Sequence, residues 1–232
     1  MALFGHASAE PPASVGVQVV ARQDAVLGAP MAGRLSAFPL RDGDRFAQGD
    51  VVARFVCAQI DGMVARSKAT LNKKQQQLGI AAKLRQLGTN NVAEYALAAA
   101  EVTEAQADLT IALANADSCT VTAPFAGRVG NTMTRANEFV AAGAPLLELI
   151  GDQELELELI LPSRWLVWLH PGAGFTVHIQ ETGQAYQAEL VRLSGKVDSV
   201  SQSIKAYGKV VGSQSGLLPG MSGQATLTPP AP

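Results

Sequence analysis

A short motif occurs twice in this chain, and a long insertion of different character separates the two copies. Ala29-Pro-Met-Ala-Gly-Arg34 returns as Ala123-Pro-Phe-Ala-Gly-Arg128, an offset of 94 residues. The offset continues without a gap to a glycine, which is Gly49 in the first copy and Gly143 in the second. Each copy ends in an apolar run that is typical of a strand. Because either copy alone would expose its apolar face, residues 26–56 and 119–150 are predicted to form one β-sandwich from two halves.

The insertion between the copies has the composition of helices. From about residue 58 to residue 118 it contains no proline and is rich in Ala, Leu, Gln, Lys and Glu. Seam positions recur at spacings of three and four from Ile60 to Leu78 and again from Tyr95 to Ala116. The turn signal Gly88-Thr-Asn-Asn91 lies between these two runs. Residues 57–118 are therefore predicted to form an antiparallel coiled-coil hairpin.

Charge predicts how the two arms of this hairpin pair. The first arm is mostly basic and the second is mostly acidic, and such complementary charges fix register and orientation. In the register that also aligns the apolar seams, the expected facing pairs are Lys83 with Glu94, Lys73 with Glu104 and Lys68 with Asp108.

After Gly151 the pattern changes to strict alternation of polar and apolar residues. Glu154-Leu-Glu-Leu-Glu-Leu159 predicts a strand with one buried face, and similar segments follow up to Leu190. Residues 15–25 and 151–228 are expected to form a small β-barrel, with a strand from Val15 to Val20. The fold class is thus mainly β with an α-helical coiled-coil hairpin (α+β). The three glutamates are interpreted as a solvated strand face.

Several kinds of function are disfavoured by the sequence. A net charge of −2 and an aromatic content of 5% argue against a nucleic-acid surface. His6, His170 and His178 lie far apart, so no metal site is predicted. No nucleophile motif and no phosphate-binding loop occurs. We therefore expect a protein that is not an enzyme and that uses no cofactor.

The two ends of the chain are expected to be tails, over residues 1–14 and 229–232. Ala7-Ser-Ala9 fits the small-x-small cleavage pattern of a secretory signal, although the apolar stretch before it is short. Two interpretations stay open, namely a truncated signal peptide and an ordinary Ala/Pro tail. No run of 18 apolar residues occurs, so no transmembrane helix is predicted.

The order and spacing of these motifs resemble the periplasmic adaptor, or membrane-fusion protein, family of HlyD-like proteins. Ala29-Pro-Met-Ala-Gly-Arg34 with Asp42-Gly-Asp-Arg-Phe-Ala-Gln-Gly49 resembles the first lipoyl half-motif of that family, and Thr120-Val-Thr-Ala-Pro-Phe-Ala-Gly-Arg128 resembles the second. Val197-Asp-Ser-Val-Ser-Gln-Ser-Ile204 resembles its "VD-x-x-S-R-T" stretch, and Leu218-Pro-Gly-Met221 resembles its "L-x-P-G-M" signature.

The resemblance implies a non-catalytic adaptor subunit of a multi-component efflux or secretion system. Such a subunit would lie in the periplasm of a Gram-negative bacterium, associated with the inner membrane. It would form a trimeric or hexameric ring between an inner-membrane transporter of the RND or ABC type and an outer-membrane channel protein. An alternative is an adaptor-like interaction domain in polysaccharide or envelope machinery that has no channel.

A lipoyl or biotinyl carrier is a third and less favoured interpretation. Such carriers present a modified lysine on the tight turn that joins the two halves of the sandwich. Here the predicted hairpin replaces that turn, and the nearest lysine in the sequence, Lys68, lies within a helical pattern.

The chain departs from the family pattern in two places. It ends at Pro232, one predicted strand after Met221, so we expect the membrane-proximal domain of the family to be mostly or wholly absent. Many family members carry Arg-x3-Leu-x6-Ser at the hairpin tip, whereas here Lys83-x3-Leu87 is followed by Glu94. The candidate docking residues at the tip are Lys83, Arg85, Leu87, Asn91 and Glu94.

The chain has two cysteines, and both lie at the predicted base of the hairpin. Cys57 precedes the first helix, and Cys119 follows the second. The register that aligns the arms places them opposite each other, and an oxidising periplasm would permit a disulfide between them. The alternative is a pair of small buried hydrophobic residues.

Overall fold

The computed structural model describes residues 13–88 and 92–228. The chain divides into two compact units. Among the described residues, one unit comprises 13–25, Phe125–Arg128 and 149–228, and the other comprises 26–88, 92–124 and Val129–Glu148. Within the described residues, no helix is both long enough and apolar enough to cross a bilayer.

The secondary structure confirms the predicted mixture of short strands and one pair of long helices. In chain order the elements are β1 (Ala13–Ala21), β2 (Asp24–Gly28), β3 (Gly33–Ala37), β4 (Arg45–Phe46), β5 (Val51–Phe55), α1 (Ala58–Gln86), α2 (Val92–Asp117), β6 (Thr120–Thr122), β7 (Gly127–Thr132), β8 (Phe139–Val140), β9 (Pro145–Ile150), β10 (Leu155–Pro162), a 3₁₀ helix (Ser163–Val167), β11 (Gly174–Ile179), β12 (Gln184–Asp198), β13 (Ser203–Val210) and β14 (Ser222–Leu227).

Six antiparallel strands close into the predicted barrel, in the order β1-β10-β13-β12-β11-β14. The alternating leucines of β10 point inward, and Leu159 pairs with Val17 on one side and with Ala206 on the other. All three residues belong to one buried apolar cluster. Closure leaves no free strand edge, which is how a small sheet of this kind buries its backbone polar groups.

The two sequence copies form a pseudo-symmetric sandwich of two four-stranded sheets. One sheet has the order β2-β9-β7-β4, and the other has the order β6-β5-β3-β8. Moving each strand of the first copy by 94 residues places β2 on β6, β3 on β7, β4 on β8 and β5 on β9. The same exchange converts one sheet order into the other, so each sheet takes two strands from each copy.

The hydrogen bonds obey the same exchange. The Gly49 N–H donates to the Ala123 carbonyl at 2.8 Å, and the Gly143 N–H donates to the Ala29 carbonyl at 2.8 Å. Both glycines have positive φ, 87° and 78°, which L-residues with a Cβ rarely adopt. Each copy therefore satisfies the backbone of the other, and neither copy would be complete alone.

The insertion folds as the predicted helical hairpin. The two helices contain 29 and 26 residues, or about 43 Å and about 39 Å at 1.5 Å per residue. The seam positions predicted from Ile60 to Leu78 and from Tyr95 to Ala116 are all buried or half-buried. The seam is narrow, as expected for two helices in contact along one stripe each.

Candidate functional site

The base of the hairpin continues the pairing of two neighbouring strands. β5 and β6 pair antiparallel, with Arg54 opposite Thr120. The Phe55 N–H donates to the Cys119 carbonyl at 2.9 Å. Cys57, two residues after Phe55, is joined to Cys119 by a disulfide, with the two Cα atoms 6.1 Å apart. The helices thus leave the sandwich from a covalently closed point.

Small and apolar residues hold the two arms together, and one ion pair joins them among the described residues of the hairpin. Leu71, Ala81, Ala105 and Ala112 are the buried residues of the two helices. Small residues let two helices approach closely along a narrow seam.

The ion pair between the arms differs from the pairs that the sequence predicted. Lys74 Nζ lies 2.9 Å from Glu101 Oε2, and both side chains are partly buried. The predicted pairs are not among the ion pairs of residues 13–88 and 92–228. Their six members, Lys68, Lys73, Lys83, Glu94, Glu104 and Asp108, are all exposed. Lys74 occupies a seam position, so its amine is held near the opposite arm, whereas charges outside the seam remain solvated.

Four of the five predicted tip residues lie at the adjoining ends of α1 and α2. Lys83 and Arg85 are in the last turn of α1, and Glu94 is in the first turn of α2. Leu87 follows α1 directly, and its N–H donates to the Lys83 carbonyl at 3.1 Å. Asn91 lies outside the described residues.

An aromatic ring on the second arm positions Arg85. The Arg85 guanidinium lies over the ring of Tyr95, 4.8 Å from its centroid. Such a contact between a cation and an aromatic face is attractive and restricts both side chains. The sequence interpretation assigned Tyr95 only to the seam. The one available signal was its place in the first turn of α2, across the hairpin turn from Arg85.

Exposed apolar side chains surround the tip. Leu87 keeps 75% of its surface exposed. Four further large apolar residues of the distal half of the hairpin are exposed, namely Ile80, Leu84, Val92 and Leu97. The spacing of Ile80, Leu84 and Leu87 places them along one side of α1. A cluster of this kind is a candidate protein-docking surface, and sequence reasoning identified only Leu87 among its members.

A second candidate docking surface lies at one end of the barrel. Val167 and Val200 are 92% and 94% exposed. The 3₁₀ helix that ends at Val167 begins beside the turn that carries Val200, because the Ser163 N–H donates to the Gln202 carbonyl at 2.8 Å. The two valines therefore lie at the same end of the barrel.

The "VD-x-x-S" stretch builds the turn that presents Val200. The Asp198 carboxylate accepts hydrogen bonds from the N–H and hydroxyl of Ser201 and from the N–H of Val200, at 2.8 to 3.0 Å. The Ser201 N–H, with these other donors, holds the pKa of Asp198 below its ordinary value. The motif therefore serves the geometry of a tight turn.

The polar face of β10 and the residue just before this strand carry three ion pairs. Glu154 pairs with Arg22, Glu156 with Arg192 and Glu158 with Lys205. Each carboxylate thus has its own base, an arrangement that stabilises neighbouring strands and differs from a pair of carboxylates sharing a proton.

The described residues contain no group of three or more His, Cys, Asp or Glu that could hold a metal ion. The Nδ1 of His170 forms a hydrogen bond with the Trp168 carbonyl at 2.8 Å. Lys68, the lysine that the carrier interpretation considered, lies inside α1.

Solved structures of low sequence identity share this architecture. A MacA–MexA chimera that contains the α-hairpin domain of Pseudomonas aeruginosa MexA matches with a TM-score of 0.85 at 16% identity, covering 94% of this chain and 82% of the chimera. The membrane fusion protein Spr0693 from Streptococcus pneumoniae R6 matches with a TM-score of 0.79 at 14% identity, covering 94% and 100%. MacA from Actinobacillus actinomycetemcomitans matches with a TM-score of 0.77 at 15% identity, covering 94% and 78%.

No protein-family model and no curated protein matches the sequence. The structural matches confirm the predicted fold class, and the chain has the fold of membrane fusion, or periplasmic adaptor, proteins. At these identities the likeness concerns the fold.

Proposed function

We propose that this protein is a periplasmic adaptor subunit of a multi-component export system. In this proposal it is non-catalytic, forms a trimeric or hexameric ring, and connects an inner-membrane transporter of the RND or ABC type to an outer-membrane channel. The fold it shares with membrane fusion proteins supports the adaptor role.

The observation that carries the proposal is the long hairpin with an exposed apolar tip. A hairpin of about 40 Å whose tip contacted only water should have a polar tip. Leu87 and Val92 at this tip are instead large apolar residues that are mostly exposed. Exposed large apolar residues grouped in this way are typical of a protein interface. The disulfide at the base supports the periplasmic location, because structural disulfides persist in oxidising compartments.

The barrel supplies a surface for the transporter side of the proposed assembly. Val167 and Val200 lie at the end of the barrel where β10 ends and β13 begins. A transporter that covered both valines would bury two side chains that are now almost fully solvated. In this proposal the hairpin tip contacts the channel, and this end of the barrel contacts the transporter.

One observation favours the second candidate, an adaptor-like interaction domain in polysaccharide or envelope machinery without a channel. The tip carries Glu94 instead of the serine of the family pattern, and Glu94 is exposed. A carboxylate in this position would need a basic or polar partner when it is covered. A channel whose docking surface lacks such a group would be a poor fit.

The proposal is tested by crosslinking in a Gram-negative envelope. A photoreactive residue at position 87 is compared with one at Lys73, which is exposed in the middle of α1. The channel hypothesis expects an adduct with an outer-membrane channel from position 87 only, and co-purification of an inner-membrane transporter. The second candidate expects an envelope partner without a channel adduct.

Sedimentation of the purified protein over a concentration series tests assembly separately. We expect self-association toward trimers or hexamers. Strictly monomeric behaviour together with no envelope partner would overturn both candidates.

A further inference from the structure

A concave site of about 530 Å³ lies where the two copies of the sandwich motif meet. Eight residues line it, and they come from the two segments 38–42 and 132–136. These segments occupy equivalent places, since one connects β3 to β4 and the other connects β7 to β8. The eight residues form four pairs under the offset of 94, namely Phe38 with Thr132, Leu40 with Thr134, Arg41 with Arg135 and Asp42 with Ala136. The site therefore lies on the pseudo-twofold axis of the sandwich.

Arginine is the one residue type that both copies keep in this site. The other three pairs have diverged, from Phe38 to Thr132, from Leu40 to Thr134 and from Asp42 to Ala136 in the two copies. Two arginines related by a twofold axis and lining one concave surface present two planar donor groups to the same space. This arrangement suits an oxyanion, which can accept paired N–H bonds from each guanidinium.

The acid three residues after each arginine accepts a hydrogen bond from the backbone N–H of that arginine. The Arg41 N–H donates to the Asp44 carboxylate at 2.8 Å, and the Arg135 N–H donates to the Glu138 carboxylate at 3.0 Å. These turns fix both arginine backbones in the same way. Within residues 13–88 and 92–228, neither guanidinium takes part in a hydrogen bond, an ion pair or a ring contact.

The lining of the site differs in charge between the two copies, because the second copy lacks an acid. Asp42 lines the site and accepts the Thr132 N–H at 2.7 Å. Its equivalent in the second copy is Ala136. The lining residues therefore contain two cations and one anion.

We infer that this site binds an oxyanion of the phosphate or carboxylate class between Arg41 and Arg135. Half-buried Phe38 and Leu40 supply an apolar part of the same lining. The ligand class is thus a small phosphate or carboxylate compound that can carry an apolar group. The inference does not depend on the proposed export function, since it concerns one site within a single chain.

Titration calorimetry of the intact protein with inorganic phosphate, in a low-salt buffer free of other oxyanions, tests the inference. We expect saturable binding to one site. Arg41→Ala and Arg135→Ala should each weaken it about tenfold or more, since each removes charge-assisted hydrogen bonds. Arg54→Ala is the matched control, because Arg54 is exposed on β5 of the same unit and does not line the site.

A fourth variant tests the charge argument with both arginines in place. Ala136→Asp installs the acid that the first copy has at position 42, and it should weaken phosphate binding about as much as the loss of one arginine. A parallel titration with succinate, a dicarboxylate, assigns the class: binding of phosphate alone or of both anions supports the inference. Absence of saturable binding for both anions, or an equal loss in Arg54→Ala, would overturn it.

Discussion

Cys57 lies two residues after the end of β5 at Phe55, Cys119 lies one residue before β6 begins at Thr120, and their sulfur atoms close the base of the hairpin. The pairing of β5 and β6 sets the distance between the two segments at that point. This pairing therefore brings the two cysteines together. The bond links residues that are 62 positions apart. It therefore restricts the unfolded chain as well as fixing where the helices leave the sandwich.

The first prediction concerns the presence and energetic effect of this bond. Material exported to the periplasm should contain no free thiol when it is denatured without reductant and titrated. Replacing both cysteines with alanine should lower the free energy of unfolding by about 4 kcal/mol in the chain-entropy model for a loop of this length. Urea denaturation measures the difference.

Reductant provides the control for the cysteine variants. It should lower the stability of the wild-type protein to that of the double alanine variant and leave the variant unchanged. Two free thiols per chain in exported material would rule the bond out.

The second prediction concerns the ion pair of the hairpin. A double-mutant cycle on Lys74 and Glu101, with methionine and glutamine as replacements, should give a coupling free energy of about 0.5–1 kcal/mol, since both side chains are partly buried. The same cycle on Lys73 and Glu104 is the control and should give about zero. Equal couplings would show that the arms pair as the charge pattern alone suggested.

Periodicity was sufficient to predict the hairpin but insufficient to select its ion pair. The seam follows from spacings of three and four, which a helix converts directly into one face. A facing pair such as Lys73 and Glu104 satisfies charge and register. Outside the seam, however, fixing two long side chains together costs about as much conformational entropy as the ion pair gains, so both stay solvated. The position of Lys74 within the seam was visible in the sequence. Its pairing with Glu101 depends on how the two helices wind around each other.

The third prediction uses two glycines that occupy the same place in the two copies. A Cβ on Gly127 would lie 2.1 Å from the Ile150 carbonyl oxygen, whereas a Cβ on Gly33 would lie 3.2 Å from a ring carbon of Phe55. A ring can shift, but a strand backbone cannot do so cheaply. Gly127→Ala should therefore cost at least about 2 kcal/mol of stability, and Gly33→Ala less than about 1 kcal/mol.

Thermal unfolding of the two variants in parallel measures the difference between them. Equal losses would mean that the copies are packed alike at this position. Both copies have glycine at this position. The expected difference in stability loss between the two variants therefore comes from the packing, against Ile150 for Gly127 and against Phe55 for Gly33.

The fourth prediction concerns acid stability of the barrel. Two hydrogen bonds from Arg192, at 2.5 and 2.6 Å, hold the pKa of Glu156 below its ordinary value near 4.5. Because the folded pKa is the lower one, the pair stabilises the barrel above about pH 4.5, and this contribution is lost as the pH falls through the folded pKa. Glu156→Gln should remove about 0.5–1 kcal/mol at pH 7.

The effect of Glu156→Gln should be smaller at pH 3 than at pH 7, as measured by urea denaturation at both values. Glu154→Gln is the control, since Glu154 and Arg22 are both well exposed and their pair should contribute little at either pH. A loss that is the same at pH 3 and pH 7 would assign the effect of Glu156 to packing instead of charge.

The tip illustrates what the sequence could not supply about the candidate site. The turn signal located the tip, and the resemblance to adaptors directed attention to Lys83, Leu87 and Glu94. The contact of Arg85 with Tyr95 joins residues on different helices, and the exposure of Val92 depends on where α2 begins. Both are properties of the assembled hairpin, so neither follows from periodicity.

The last prediction concerns the hairpin tip and rests on the proposed function. Leu87→Ser removes the most exposed large apolar side chain of α1 and its end without touching the seam, so export should be lost while the thermal unfolding midpoint stays unchanged. Leu113→Ser is the control, because Leu113 is also an exposed leucine but lies near the disulfide end of α2. Export assays in cells lacking the wild-type protein give the readout. If both variants export normally, the tip does not dock through Leu87; if both fail alike, the whole hairpin surface is engaged.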